Sequence, residues 1–443
     1  MIELIHNAKK ASDKLKIKFD DVAIKMVLKD SVMVKIWNNQ ISVTQSWRTI
    51  ESRIYLAKDK RILELSLSLE RPEDIVKVCD EMSKYVGVMK ESEIYAPLPE
   101  PTAYKPLKDL TDVKIRDYMD NPLPLVEGLI GSALDNGAQR VAGTLELSIE
   151  RKALVTSKGF EGEEEGSEVM CYLRAFKGDV SGHWAYGSRR VNKESIEYVG
   201  RRAAEIATLS KGKVSVEPGK YDVILSPLVV GNLLNDVAMM ASGLYIMMGF
   251  SMFMKFKIGD VIASGMVSLY DVPRNIELAR STSFDDEGIE TYDKPIIEGG
   301  KFTNILHNVK TSSKLGGKTT GNAGWITPLP WNIELKPGDY SEEELIREVR
   351  RGLLMTNNWY TRLQNYVEGQ FSTVSKDAVF YIENGEIKGY TERIRIADTF
   401  VNLLRNVRAI GKTQYLIRWW EVRIPSKVPY LLATNVNITK PYA

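Results

Sequence analysis

Along the first quarter of the chain, hydrophobic and polar positions alternate with a period of two. Val32, Val34 and Ile36 interleave with Ser31, Met33 and Lys35, Asn38-Asn39 interrupts them, and Ile41 and Val43 resume the alternation. Residues two apart share one face of a strand, and an Asn pair tolerates the left-handed backbone of a tight turn, so this stretch predicts a hairpin. Residues 54–57 and then Leu63, Leu65, Leu67 and Leu69 continue as further strands, the last with Glu64, Ser66 and Ser68 on its other face. An antiparallel sheet with one wet face follows. Residues 3–15 carry a helical period, and Pro72 opens a helix with Ile75, Val76, Cys79, Met82 and Val86 on one side, expected to cover the sheet.

Prolines at 97, 99, 101 and 106 favour an extended connection over residues 91–106. Beyond it, a helix over 124–136 and strands over 142–157, 169–176 and 180–186 repeat the helix-then-sheet order, and the acidic run Glu161, Glu163, Glu164 and Glu165 reads as a solvated turn. Asn192 is placed to cap a helix reaching Leu209, with Ile196, Val199, Ala203, Ile206 and Ala207 inward, and Lys211-Gly212-Lys213 ends it. The second half starts with a strand over 221–226, turns at Pro227 and enters an apolar segment whose first part is helical. Ser341 and Glu344 form a capping box for a helix expected to stop at Gly352. Strands follow over 378–382, 392–396 and 430–438, with Asn384-Gly385 as a hairpin turn.

The expected fold is therefore α+β, with N-terminal antiparallel sheets under covering helices and a β-rich, curved or barrel-like C-terminal domain with helices. The division expected is 1–210 and 211–443, the first part divisible again near 91–106.

Composition narrows the class little. The 443 residues suffice for large cores, and a hydrophobic content of 44%, a charged content of 27% and a net charge of +2 give no global pull toward nucleic acid. Cys79 and Cys171 lie far apart without a CxxC spacing, which fits buried thiols in a reducing compartment and no disulfide. The N-terminal residues mix acids and bases without the apolar core of a signal peptide, so a cytoplasmic protein is expected. Residues 237–254 carry no charge, but Gly243, Gly249, Ser242 and Ser251 within them favour a buried helix, turn and strand over a membrane span. Six methionines in and around this run read as core, or as an adaptable contact surface where exposed.

Several stretches carry candidate chemistry. Asp285, Asp286 and Glu287 before Gly288 could bind a hard cation or act as bases, although the spacing is not that of a calcium loop and paired carboxylates more often cap and bridge. Gly316, Gly317, Gly321 and Gly324 surround Lys318, Thr319, Thr320 and Asn322, but Ser312 stands where a phosphate-binding P-loop needs its first Gly. Backbone N–H groups of such a loop suit an extended peptide. The three histidines, His6, His183 and His307, lie in separate segments, and His307 is the one beside the Gly/Thr loop. Arg393, Arg395, Arg405, Arg408, Lys412, Arg418 and Arg423 with Trp419-Trp420 form a basic, aromatic C-terminal segment, more simply a solvated sheet face than a nucleic-acid site.

In order, Tyr221 to Ser226 with Pro227, Asp271-Val-Pro273, Phe284-Asp-Asp-Glu-Gly288, the loop from Leu315 to Trp325, Asn358-Trp-Tyr-Thr-Arg362, Gly369-Gln-Phe-Ser372 and Ile382-Glu-Asn-Gly-Glu386 resemble the TldD/PmbA family. The resemblance covers most of residues 150–440. It implies a peptidase assembled from paired subunits, in which the catalytic member carries His-Glu-x-x-x-His on the helix after the Pro turn. At the corresponding positions this chain has Asn235, Asp236 and Met240, and neither cysteine falls where the family places a late metal ligand. An amide and a thioether are poor substitutes for imidazoles toward zinc. The resemblance thus implies a PmbA/TldE-like, metal-free subunit that pairs with a zinc-bearing TldD-like chain, or with itself, to act on unfolded or short peptides. Its peptide cleft is expected to include Asp285, Asp286, Glu287, Gly288, His307, Gly321 and Asn322. Two other readings remain: a stand-alone hydrolase built on His307 or the three acids, and a DNA-associated regulator using the basic strands, the family's label "modulator of DNA gyrase" naming a genetic link.

Overall fold

Alternation in the N-terminal part yields one long sheet. The computed structural model describes residues 3–82, 84–209 and 212–441, with the side chains of Met82 and Val86 outside that description. Helix α1 (Leu4–Leu15) precedes β1 (Asp21–Trp37), β2 (Gln40–Lys58) and β3 (Arg61–Ser68). Asn38 and Asn39 turn the hairpin with φ of 51° and 68°, the left-handed conformation the Asn pair predicts. Residues 54–57 belong to β2 and form no separate strand. Helix α2 (Asp74–Met82) follows; Ile75 and Cys79 pack with α1 against Ile24, Met26 and Leu56 of the sheet. Among the inward positions expected for this helix, Met82 and Val86 lie outside the described side chains, as does Lys211 at the end of the later one.

Two short helices, α3 (Ile115–Asp120) and α4 (Leu123–Asp135), lead into β4 (Arg140–Thr156), β5 (Glu161–Lys177) and β6 (Val180–Ser188). These join the first three strands in the order β3-β2-β1-β4-β5-β6, so strands from both sides of the proline-rich connection share one antiparallel, curled sheet. The acidic run at 161–165 is not a turn: it starts β5, and Glu164 lies directly opposite Lys152 of β4. Helix α5 (Lys193–Thr208) packs on this half, its N-terminus capped by the Asn192 side chain accepting from the Ser195 N–H at 2.9 Å.

Strand β7 (Gly219–Leu225) sits within a nine-stranded sheet, antiparallel to Leu431–Thr439 and parallel to Arg351–Met355. Beside it a six-stranded sheet includes Ile333–Leu335 and Val422–Val428. Helix α6 (Pro227–Met240) packs against the latter strand, with Pro227 at its first position, where no N–H is needed. The C-terminal region is β-rich, and the whole is α+β with curled antiparallel sheets.

Three expectations change here. The uncharged run at 237–254 holds the end of α6, helix α7 (Gly243–Met248) and a 3-10 turn at Met252–Lys255, with no strand. Its core reading holds for Met240 and Met252, whereas Met248 and Met254 are exposed. The capping box of Ser341 and Glu344 is present, but its helix ends at Arg347, and Gly352 lies in a strand whose partner backbone, at Asp222, leaves no room for a side chain. Residues 392–394 separate two strands, Glu386–Thr391 and Arg395–Thr399. No helix among the described residues is long and apolar enough to cross a membrane.

Candidate functional site

Helix α6 presents two asparagines, three residues apart, to the neighbouring strand. Asn232 donates to the Glu421 carbonyl at 2.7 Å and accepts from Asn358 and Thr361, both at 2.7 Å. Asn235 accepts from the Ile424 N–H at 2.8 Å and donates to the Ile424 carbonyl at 3.2 Å and Ser426 Oγ at 3.0 Å. Ile424 lies where the ladder between Tyr415–Trp419 and Val422–Val428 slips register, so the Asn235 amide replaces a missing strand partner. Asp236, half-buried, has no hydrogen bond or ion pair among the described residues. Burial pushes its carboxyl up to about 7, with Arg423 opposing and Glu421 reinforcing. Met240 is in the core, 1% exposed. A zinc ion does not fit these three positions: the amide is engaged on both sides and the thioether faces apolar neighbours. Among the described residues, no three His, Cys, Asp or Glu side chains gather in a way that could hold a metal.

The three consecutive acids have three different environments. Asp285, fully buried, accepts from the N–H groups of Glu287 at 2.9 Å, Ile289 at 3.0 Å and Ala323 at 2.9 Å, tying the acidic turn to the Gly/Thr loop. Burial nevertheless pushes its carboxyl up to about 7. Asp286 meets Lys25 at 2.7 Å and Arg53 at 3.0 Å, two cations directly opposite each other on β1 and β2. Like charges so placed repel, and the shared carboxylate offsets this. Burial alone would raise Asp286, but these two cations hold it below the usual carboxylate range. Glu287 accepts from the Val309 N–H at 2.9 Å, while its other oxygen lies 3.8 Å from Lys310 Nζ, beyond hydrogen-bond reach. Both groups are fully buried, which pushes Glu287 up to about 8 and Lys310 down. The pair leans toward its neutral form.

Gly288 has φ 78°, and a Cβ there would lie 2.4 Å from the Phe160 ring. That ring lies 5.0 Å from Phe284 and tilted 60° to it, within a small core that joins the face of β1, β2 and β4 turned away from α1 and α2 to Trp325. Gly321 has φ 66° and abuts the Glu290 carbonyl. Asn322 donates to Asp271 at 2.6 Å and to the Leu329 carbonyl at 3.0 Å. The loop is thus divided: residues 313–318 are exposed, and the part from Thr320 to Ala323 is buried and engaged. His307 sits behind it, its Nδ1 3.0 Å from Thr311 Oγ1, and burial pushes it down to about 4. It has no acid beside it among the described residues. His183 packs 4.5 Å from the Trp419 ring, and burial pushes it down to about 3.

A cavity of about 670 Å³ opens between the polar face of the N-terminal sheet and these loops. Of the seven expected cleft residues, Asp286 and Asn322 line it; Asp285, Glu287, Gly288, His307 and Gly321 do not. The opposite wall holds Lys25, Arg53, and Lys152 paired with Glu164 at 2.9 Å. Sequence reading missed these four, because a polar strand face looks the same whether it meets solvent or a cavity. The cross-strand pairing of Lys152 with Glu164 was the available signal, hidden by reading the acids as a turn.

Curled antiparallel sheets, the acidic turn locked to a Gly/Thr loop and the helix after Pro227 define the class. The chain belongs to the PmbA/TldD family: residues 107–211 match the PmbA/TldA metallopeptidase central domain and residues 218–440 the C-terminal domain. Among its relatives, a metalloprotease of Methanothermobacter thermautotrophicus is 28% identical over 272 residues, 58% of this chain and 59% of that protein. The metalloprotease PmbA of Escherichia coli O157:H7 is 27% identical over 253 residues, 54% of this chain and 52% of that one. The matched region thus spans somewhat over half the length of these relatives. The crystal structure of TldE from Thermococcus kodakarensis has the same fold, with a TM-score of 0.86 over 98% of this chain and all of that one, at 22% identity.

Proposed function

We propose that this chain is the non-catalytic, PmbA/TldE-like subunit of a two-chain, cytoplasmic metallopeptidase, whose zinc is held by a TldD-like partner. The observation that carries the reading is the state of Asn235, whose amide oxygen and nitrogen both hold the strand at Ile424, with Met240 packed in the core. The positions that would carry imidazoles in a zinc-bearing member serve here to hold strand to helix. This chain contributes walls and backbone hydrogen-bonding groups to an extended, unfolded or short peptide, and the partner contributes the Lewis acid that polarises the peptide carbonyl. Neither competing reading gains from a specific contact: His307 has no acid beside it among the described residues, and Arg418 of the basic segment faces inward on Glu168 at 3.3 Å.

The test is elemental analysis of the purified chain, with peptide cleavage measured alone and after mixing with a TldD-like chain. The reading expects no stoichiometric metal, no cleavage alone and cleavage on mixing. Stoichiometric zinc together with cleavage by the isolated chain would overturn it.

A further inference from the structure

The 670 Å³ cavity has an unbalanced charge. Seven cationic side chains line it against five acidic ones. Setting aside the clusters around Asp286 and Glu164, in which Arg53 also meets Glu64, leaves Lys29, Arg189, Arg280, Arg418, Glu150 and Glu168. Lys29 turns to Glu146, outside the lining, at 3.6 Å, and Arg418 lies 3.3 Å from Glu168. Arg189 has no acid in contact among the described residues; its guanidinium donates to the carbonyls of Leu110, Ser167 and Ser281. Neither Arg280 nor Glu150 has an ion pair or side-chain hydrogen bond among the described residues, and both are exposed. Two unmatched guanidiniums against one unmatched carboxylate leave a surplus of one positive charge.

This cationic wall is built into the sheet. A Cβ on Gly166 of β5 would fall 2.0 Å from Arg189 Nη1, and one on Gly187 of β6 would fall 2.0 Å from Arg418 Cβ. Two glycines on adjacent strands therefore make the room through which two arginine side chains reach the cavity. Although solvent reaches Arg280, the surrounding cavity walls desolvate its guanidinium and, with the neighbouring Arg418 charge, push it down, while burial pushes Arg189 down to about 10. An anion placed among them relieves that repulsion, and one negative charge matches the surplus.

We propose that this cavity binds the carboxylate of a small organic molecule, such as the free C-terminus of a short peptide, with Arg280 as the recognising side chain and Arg418 beside it. A guanidinium with no side-chain partner among the described residues offers a carboxylate its planar, two-pronged donor edge. The inference concerns equilibrium binding by the chain alone, so it can fail while the subunit reading stands, and the reverse.

The experiment titrates the full-length chain at low ionic strength with acetyl-trialanine as the free acid, with its C-terminal amide, and with inorganic phosphate. The free acid is expected to bind at least about tenfold more tightly than the amide, the scale of a charge-assisted pair. Arg280→Gln is expected to abolish that preference, and Arg280→Lys to keep part of it, while thermal melting shows both variants folded. Equal binding of acid and amide, no binding of either, unchanged preference in folded Arg280→Gln, or tighter binding of phosphate than of the acid would overturn the assignment.

Discussion

Replacing Asn235 by alanine separates a residue that holds a strand from one that serves a metal. In the folded chain the Asn235 amide joins the Ile424 N–H, the Ile424 carbonyl and Ser426 Oγ at 2.8, 3.2 and 3.0 Å, all in a buried setting. Truncation affects these partners unequally. The Ile424 carbonyl keeps the Ser426 hydroxyl at 2.8 Å. The Ile424 N–H, at the slip in the ladder, loses its acceptor, and an orphaned buried donor costs about 1–3 kcal/mol. Loss of the two other bonds adds about 1 kcal/mol, so the expected destabilisation is about 2–4 kcal/mol. Equilibrium urea unfolding followed by tryptophan fluorescence measures it, with buried Trp419 reporting from the adjoining strand. Metal content and any partner-dependent cleavage per folded molecule should stay as in the parent. A stability change below about 0.5 kcal/mol, or a loss of bound metal without a loss of stability, would refute the reasoning.

Three further outcomes follow from the acidic turn. Asp286→Asn should cost about 1–3 kcal/mol, since it leaves Lys25 and Arg53, the latter still paired with Glu64, facing each other at the cavity wall. Because the Asp286 carboxyl is held low, its contribution is present above the unfolded carboxylate range and lost as pH falls through the lower folded value; acid titration of stability should therefore be shallower in the variant. Glu287 behaves oppositely. With its folded value up at about 8 against an ordinary 4.5, the folded chain keeps a Glu287 proton that the unfolded chain releases, so stability falls as pH rises above that ordinary value, until Lys310, pushed down by burial, gives up its own proton in the folded chain only and offsets the fall. Glu287→Gln with Lys310→Met should flatten that fall and melt at or above the parent temperature at pH 7, because a buried pair 3.8 Å apart without a hydrogen bond gains little from its charges; marked destabilisation would speak against the neutral pair. Gly288→Ala should cost about 2–4 kcal/mol, from φ 78° combined with a Cβ driven 2.4 Å from the Phe160 ring, and a variant as stable as the parent in denaturant would contradict this.

Local chemistry made much of this protein legible in its sequence. Period-two alternation and Asn38-Asn39 specified the first hairpin, Asn192 and the pair Ser341 and Glu344 specified two helix starts, and the ordered signatures pointed to the family. Such signals depend on neighbours a few residues away, which a sequence displays directly. Tertiary structure decided the rest. Glu164 became a strand residue because Lys152 stands opposite it, not because of its acidic neighbours. Asp285, Asp286 and Glu287 are adjacent in sequence, yet only Asp286 reaches the cavity, and its partner Lys25 lies 261 residues away. Whether a charge on a strand meets water, a counter-ion or an enclosed space depends on which distant segment folds over it, and that is fixed only when the sheet and the loops pack together.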